Sequence, residues 1–309
     1  MAFPAKMTLV PKNMPAAEIP ITLELMHQLL MDQHPDLAHL PMTVVAEGWD
    51  NLIVRLGSDL LGRFPRRHVA VDLILKEQTW LPLLEGRLPL PIPTPIHVGS
   101  SSELFPYPWS ITSYFPGHIA SQAAPLDETV VAQQLGAFLG ALHHQAPNSA
   151  PPNEFGRGTP LSERAWRDDG YLATLQGHVD TTKLEAVLQR GRDAATWQWP
   201  PLWIHGDLHP ANLIANNGAL SAVIDFGDLT AGDPATDLAG LWMLLPVSHH
   251  HLFWNAYEAT APFGADEALK IRAKGWAAAL TLAILTYSAD NETMAVIGAT
   301  TSARLAGEH

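Results

Sequence analysis

Between Met42 and Arg67 the chain carries short runs of β-branched and aliphatic residues, broken at Gly48 and again at Gly57-Ser58-Asp59. This is the pattern of successive antiparallel strands joined by tight turns, and it predicts strands near Met42–Ala46, Asn51–Leu56 and Leu60–Phe64. From Val69 to Leu84 the spacing of apolar residues becomes helical. The prolines from Pro89 to Pro95 then impose an extended segment, because each fixes its own φ and disfavours helix in the residue before it. A further strand, Trp109–Phe115, stops at Pro116-Gly117. Asp127 is placed to cap a helix that carries Val131, Leu135, Phe138, Leu139 and Leu142 on one face. Helical spacing returns at Glu163–Leu175, at Thr182–Ala195 and in four stretches after Ala235, while Trp203–Phe226 reads as loop, short strands and turns. Strands gathered first and helices after them predict an α+β fold. The boundary falls at Pro116, giving one lobe of residues 1–116 and a mainly helical lobe of residues 117–309.

The 309 residues are 47% hydrophobic and 16% charged, with ten tryptophans, which is too apolar and aromatic for a disordered chain. The lysines near the N-terminus have no continuous apolar region after them, so the start does not read as a secretory signal. The longest uncharged apolar run, Trp276–Tyr287, is too short to cross a bilayer and suits a buried helix. These features predict a soluble cytoplasmic protein without membrane contact. The absence of cysteine excludes disulfides and thiolate chemistry. The formal charge of −13 argues against nucleic acid, whose binding needs a basic surface. There are 8 basic and 11 acidic residues up to Pro116, against 10 and 20 beyond it. The acid is concentrated in the second lobe.

Chemistry gathers in two short segments, His205-Gly206-Asp207-Leu208-His209-Pro210-Ala211-Asn212 and Val223-Ile224-Asp225-Phe226-Gly227. Any one of Asp207, Asn212 and Asp225 alone is an ordinary turn or strand-end residue. In this order they match what phosphoryl transfer requires: one acid to orient a hydroxyl and accept its proton, then an amide and a second acid to hold magnesium against a triphosphate. His205 and His209, four apart, also raise the thought of a zinc hydrolase. That arrangement needs a helix, which Gly206 and Pro210 oppose.

These segments resemble the aminoglycoside phosphotransferase family, whose fold is similar to that of protein kinases. The pattern runs from Ile204 to Asp228 and continues in Gly232-Asp233-Pro234 and Asp237-Leu238-Ala239. The resemblance implies a bilobal protein-kinase-like fold with a five-stranded antiparallel sheet. It implies Asp207 as catalytic acid/base, Asn212 and Asp225 as Mg2+ ligands, and His205 and Asp237 as structural support for the loop. Gly48 and Asn51, in the turn Glu47–Asn51, would lie over the phosphates. Arg63 stands where the family usually has a phosphate-contacting lysine, with Glu77 as its helix partner. The Ser113 carbonyl and Phe115 amide would meet the purine.

The implied activity is transfer of the γ-phosphate of ATP or GTP to a hydroxyl of an aminoglycoside-like, macrolide-like or amino-alcohol acceptor. The alternative is a nucleotide-binding protein that has lost transfer with the Arg63 replacement. The acidic second lobe would favour a cationic acceptor with an amine beside its hydroxyl. His249-His250-His251 reads as a solvated helix start or a surface turn, and Trp242 and Trp254 as core.

Overall fold

The structure, a computed structural model, describes residues 14–123, 125–152, 155–176, 181–288 and 290–307. The N-terminal stretch inspected for a signal therefore lies, through residue 13, outside the described residues. The first part of the chain runs α1 (Leu23–Gln33), β1 (Met42–Glu47), β2 (Asn51–Leu56), β3 (Leu60–Pro65), α2 (Ala70–Leu84), β4 (Pro95–Gly99) and β5 (Trp109–Ser113). The five strands form one antiparallel sheet in the order β1-β2-β3-β5-β4. The strands read at 42–65 are present, and the one read as Trp109–Phe115 is β5, which stops at Ser113. The edge strand β4 begins at Pro95, where a residue without an N–H costs the ladder nothing.

Thr22 caps α1 by accepting from the Leu25 N–H, and Met26, Leu29 and Leu30 pack into a core with Val54, Leu56, Phe64, Phe105, Trp109 and Ile111. Phe64 stacks on Trp109 at 5.2 Å between ring centroids. Helix α2 points its buried Ile74 and Glu77 inward, and its Leu81 and Leu84 join the core of the helical part. Val71 of the same helix packs against the first core, so one helix links the two.

The rest of the chain comprises β6 (His118–Ile119), α3 (Glu128–Leu142), α4 (Ala165–Leu175), α5 (Thr182–Asp193), β7 (Leu202–Ile204), β8 (Leu213–Asn216), β9 (Ala219–Val223), β10 (Thr230–Gly232), α6 (Ala235–Leu238), α7 (Gly240–Leu244), α8 (His250–Glu258), α9 (Glu267–Tyr287) and α10 (Glu292–Leu305). Asp127 caps α3 as expected, accepting from the Val130 N–H. Two small antiparallel sheets, β6-β8-β9 and β7-β10, frame the loop that carries the chemistry. Helix α9 buries Trp276, Ala277, Ala278, Ala279 and Leu280. No helix among the described residues is long and apolar enough to cross a membrane.

Trp242 is buried, and half-buried Trp254 packs edge-on to Phe253 and Tyr257. The triple histidine does start a helix, but His250 is not solvated. It lies buried against Trp242, with Nε2 3.3 Å from the Leu245 carbonyl.

Candidate active site

Strand β7 ends at Ile204, and the chain turns sharply through Gly206, whose φ of 88° favours glycine. A Cβ at Gly206 would also lie 2.3 Å from the Asp228 carbonyl oxygen. The turn is held from beneath by Asp237 of α6, which is fully buried. Its carboxylate accepts from the His205 N–H at 2.6 Å, the Gly206 N–H at 2.9 Å and His143 Nε2 at 3.1 Å. Three donors satisfy a charge that burial would otherwise make costly.

His205 performs a similar task. Its Nδ1 accepts from the Asp207 N–H at 3.2 Å, so the ring proton sits on Nε2 and is donated to the Ile224 carbonyl at 2.9 Å. One ring thus ties the loop of Asp207 to the segment of Asp225. His209 caps the turn Pro210–Asn212 through Nδ1, which accepts from the Ala211 N–H. The two histidines hold backbone, in separate places. Asn212 Nδ2 donates to the Asp207 carbonyl at 2.9 Å, and the Ile224 N–H donates to the Asn212 carbonyl at 2.9 Å. Asp207, Asn212 and Asp225 are therefore fixed relative to one another by short bonds.

Asp225 lies just past β9 with φ of 65° and a side chain 56% exposed. Arg63 of β3 comes within 3.6 Å of it through Nη2, and through Nη1 pairs with Glu77 of α2 at 2.9 Å. Glu77 also accepts from the Phe226 N–H at 2.9 Å. Burial pushes the Glu77 carboxyl up to about 7, against the opposing pull of Arg63 and that N–H. Burial would raise Asp207 as well, but His209 and Arg157 beside it hold its carboxyl well below the usual carboxylate range. Arg157 Nη2 lies 2.9 Å from Asp207 Oδ1, and His209 Nε2 lies 3.4 Å from Oδ2. Burial, reinforced by the charge of Asp207, pushes Asp228 up to about 6.

A cavity of about 1150 Å³ joins these groups. Gly48, Asn51, Arg63, Asp207, Asn212 and Asp225 all line it. Of the other residues singled out in the sequence, Glu77 stands behind Arg63, and His205 and Asp237 support the loop from below. Ser113, the last residue of β5, and Phe115, two residues beyond it, are not part of the cavity wall. The Gly48 N–H is spent inside its own turn on the Asn51 carbonyl, whereas Asn51 Oδ1 is buried without a hydrogen-bond partner. Arg157, Asp228 and an apolar wall of Met243, Leu280, Ile284 and Met294 also line the cavity. Sequence reasoning passed over these. Asp228 ends the quoted motif, but the others have no local signature.

The donor set suits magnesium. Asp225 exposes its carboxylate, and Asn212, whose Nδ2 is engaged, retains Oδ1 for a ligand. Two hard oxygen donors match an ion that fills the rest of its shell with water and phosphate oxygens.

A model of the phosphotransferase enzyme family matches residues 41–269. Solved structures share the fold at low identity. The GDP complex of wild-type aminoglycoside 2'-phosphotransferase-IIIa superposes with a TM-score of 0.65 at 21% identity, covering 91% of this chain and 98% of that one. The macrolide 2'-phosphotransferase MphH from Brachybacterium faecium gives 0.62 at 20%, covering 92% and 98%. The streptomycin–ATP–APH(2″)-IIa ternary complex gives 0.60 at 17%, covering 91% and 95%. No curated protein matches the sequence. With Asp207, Asn212 and Asp225 meeting in one cavity and most of the chain matched by the family model, the chain belongs to the phosphotransferase enzyme family, as a phosphotransferase with a hydroxyl group as acceptor.

Proposed function

We propose that this protein is a cytoplasmic small-molecule kinase that transfers the γ-phosphate of ATP or GTP to a hydroxyl of an acceptor with a broad apolar face. The observation that carries the reading is the convergence of Asp207, Asn212, Asp225 and Arg63 on one cavity. The nucleotide belongs with residues 1–116 and the acceptor with residues 117–309. Arg63 faces the phosphates, and the Ser113 carbonyl and Phe115 amide are assigned to the purine edge. Magnesium held by Asn212 and Asp225 would neutralise charge on the triphosphate. The acceptor hydroxyl sits against Asp207. Its oxygen bonds to the γ-phosphorus as the bond to the β,γ-bridging oxygen breaks, and its proton passes to the Asp207 carboxylate. Such a transition state asks the protein for positioning and charge stabilisation rather than covalent chemistry.

The apolar wall of Met243, Leu280, Ile284 and Met294 speaks for an acceptor that buries hydrocarbon. The second reading, a nucleotide-binding protein impaired in transfer, draws on Arg63, which leans on the carboxylate assigned to magnesium. Product formation with MgATP or MgGTP over a panel of aminoglycosides, macrolides and apolar alcohols tests both. Asp207→Asn should abolish transfer and keep nucleotide binding, because the side chain acts on the acceptor. Equal turnover by the variant would remove Asp207 from its role. Nucleotide binding without any product would favour the second reading.

A further inference from the structure

Arg157 is placed with more care than a surface cation needs. It lies between Gly156 and Gly158, whose φ values are 71° and 74°, and a Cβ on Gly158 would come within 2.8 Å of Ile204 Cδ1 and 3.0 Å of Gly232 Cα. The Gly158 N–H donates to Thr236 Oγ1 at 2.9 Å, and its carbonyl accepts from the Asp233 N–H at 2.9 Å. Asp233 is itself clamped by buried Arg272, with Nε 2.7 Å from Oδ2. Thr159 Oγ1 closes the turn on the Gly156 carbonyl at 2.8 Å. The segment is bolted to β10, α6 and α9, and it delivers a guanidinium with a side chain only 16% exposed to Asp207 Oδ1.

The consequence concerns the acceptor. A carboxylate beside a reacting hydroxyl is a natural partner for an ammonium group on the adjacent carbon, and the acidic second lobe pointed to such an acceptor. Here a guanidinium already holds that place. We propose that Arg157 is a specificity-determining, positioning residue of the transfer: it fixes Asp207 Oδ1 and pre-empts the site that an amine next to the reacting hydroxyl would take on that carboxylate. The inference rests on the assignment of Asp207 to the acceptor and narrows the acceptor class. A hydroxyl whose neighbouring carbon is uncharged is favoured, and any amine must lie farther along the molecule.

Two small probes test this without knowledge of the natural acceptor: 2-aminoethanol, which carries the vicinal amine, and ethane-1,2-diol, which does not. Their binding to the full chain is followed by NMR titration in wild type, Arg157→Ala, Arg157→Lys and Arg157→Ala/Asp207→Asn. Loss of a charge-assisted pair of this kind is worth roughly a tenfold change in affinity. Arg157→Ala should therefore bind 2-aminoethanol at least about tenfold more tightly than wild type does, with ethane-1,2-diol unchanged. The double variant should lose the gain, and Arg157→Lys, which keeps a cation in place, should resemble wild type. Equal affinity for 2-aminoethanol in wild type and Arg157→Ala, or a gain that survives in the double variant, overturns the proposal. Because the readout is binding, it is separable from the base assignment. Normal turnover by Asp207→Asn would remove Asp207 from the chemistry, while the titration would still report on Arg157.

Discussion

Asp237 touches neither of the proposed substrates, yet its replacement by Asn should be among the most damaging single-atom changes in the protein. The carboxylate accepts from the His205 and Gly206 N–H groups and from His143 Nε2, and it is fully buried. Asparagine offers one oxygen and one NH2. If the oxygen keeps His205 and His143, the NH2 faces the Gly206 N–H, donor against donor. One charge-assisted hydrogen bond, worth about 1.5–3 kcal/mol, is lost, and the two that remain become neutral and weaker. His143 cannot compensate by turning, because its Nδ1 is 3.1 Å from the Tyr257 hydroxyl. Burial and the charge of Asp237 push that phenol far up, so it remains a donor. A total of about 3–5 kcal/mol follows, which a domain of ordinary stability, about 5–15 kcal/mol, would survive in part. Urea unfolding measures the loss, and turnover is assayed in buffer where the variant is still folded. There, release of the His205–Asp207 backbone should still cost about a hundredfold, since misplacement of a reacting group by about 1 Å has that effect. A variant that loses less than about 1 kcal/mol and turns over normally would refute this account of how the loop is held.

Arg63→Ala should weaken nucleotide binding, measured by calorimetry, more than Arg63→Lys does, because it removes the cation paired with a Glu77 carboxyl that burial already pushes to about 7. Equal affinities in the two variants would place Arg63 away from the phosphates. His250 predicts a pH effect far from chemistry. Burial, with Arg304, Lys274 and His249 nearby, lowers its pKa from 6.5 to about 4, so between those values the unfolded chain binds the extra proton. The stability it contributes is present above about pH 6.5 and is lost as pH falls towards 4, by up to about 3 kcal/mol. Unfolding free energies of His250→Phe should fall less steeply over this window, and parallel curves would count against the assignment.

The parts of this molecule legible in the sequence are those whose cause is local. Turns at Gly48 and Gly57 and the β-branched and aliphatic runs they interrupt mark β1 to β3, because such residues favour strands and glycine breaks them. The cap and apolar face of α3 repeat every three to four residues and read equally well. The site residues of β7 to β9 were legible through the order of the motif, which also carried Asp237. What stayed hidden depends on distant contacts. Arg157 meets Asp207 across 50 positions, and the apolar wall brings α7, α9 and α10 residues together only in three dimensions. His250 carries no mark in sequence that separates it from its exposed neighbour His251. Ser113 and Phe115 were assigned through backbone atoms, which every residue has, so their side chains say nothing of the task.

Asp225 carries two demands at once, and they can be separated. Its φ of 65° lies in the left-handed region, where an ordinary side chain costs about 1 kcal/mol or more and Asp or Asn is tolerated best. Such a conformation persists because its surroundings hold it. The Phe226 N–H is fixed to Glu77, and the Ile224 carbonyl and N–H are fixed to His205 and Asn212. Strain at a strand end turns the carboxylate towards the cavity instead of leaving it in the sheet. Asp225→Asn keeps the tolerated backbone and most of the shape but loses the charge, whereas Asp225→Ala loses both. The Asn variant should therefore unfold in urea within about 0.5 kcal/mol of wild type and the Ala variant about 1 kcal/mol earlier. Both should require more magnesium for turnover. If Asp225 were an ordinary turn residue, the two variants would still differ in stability, but the magnesium titrations of both would match wild type, and its place in the site would be lost.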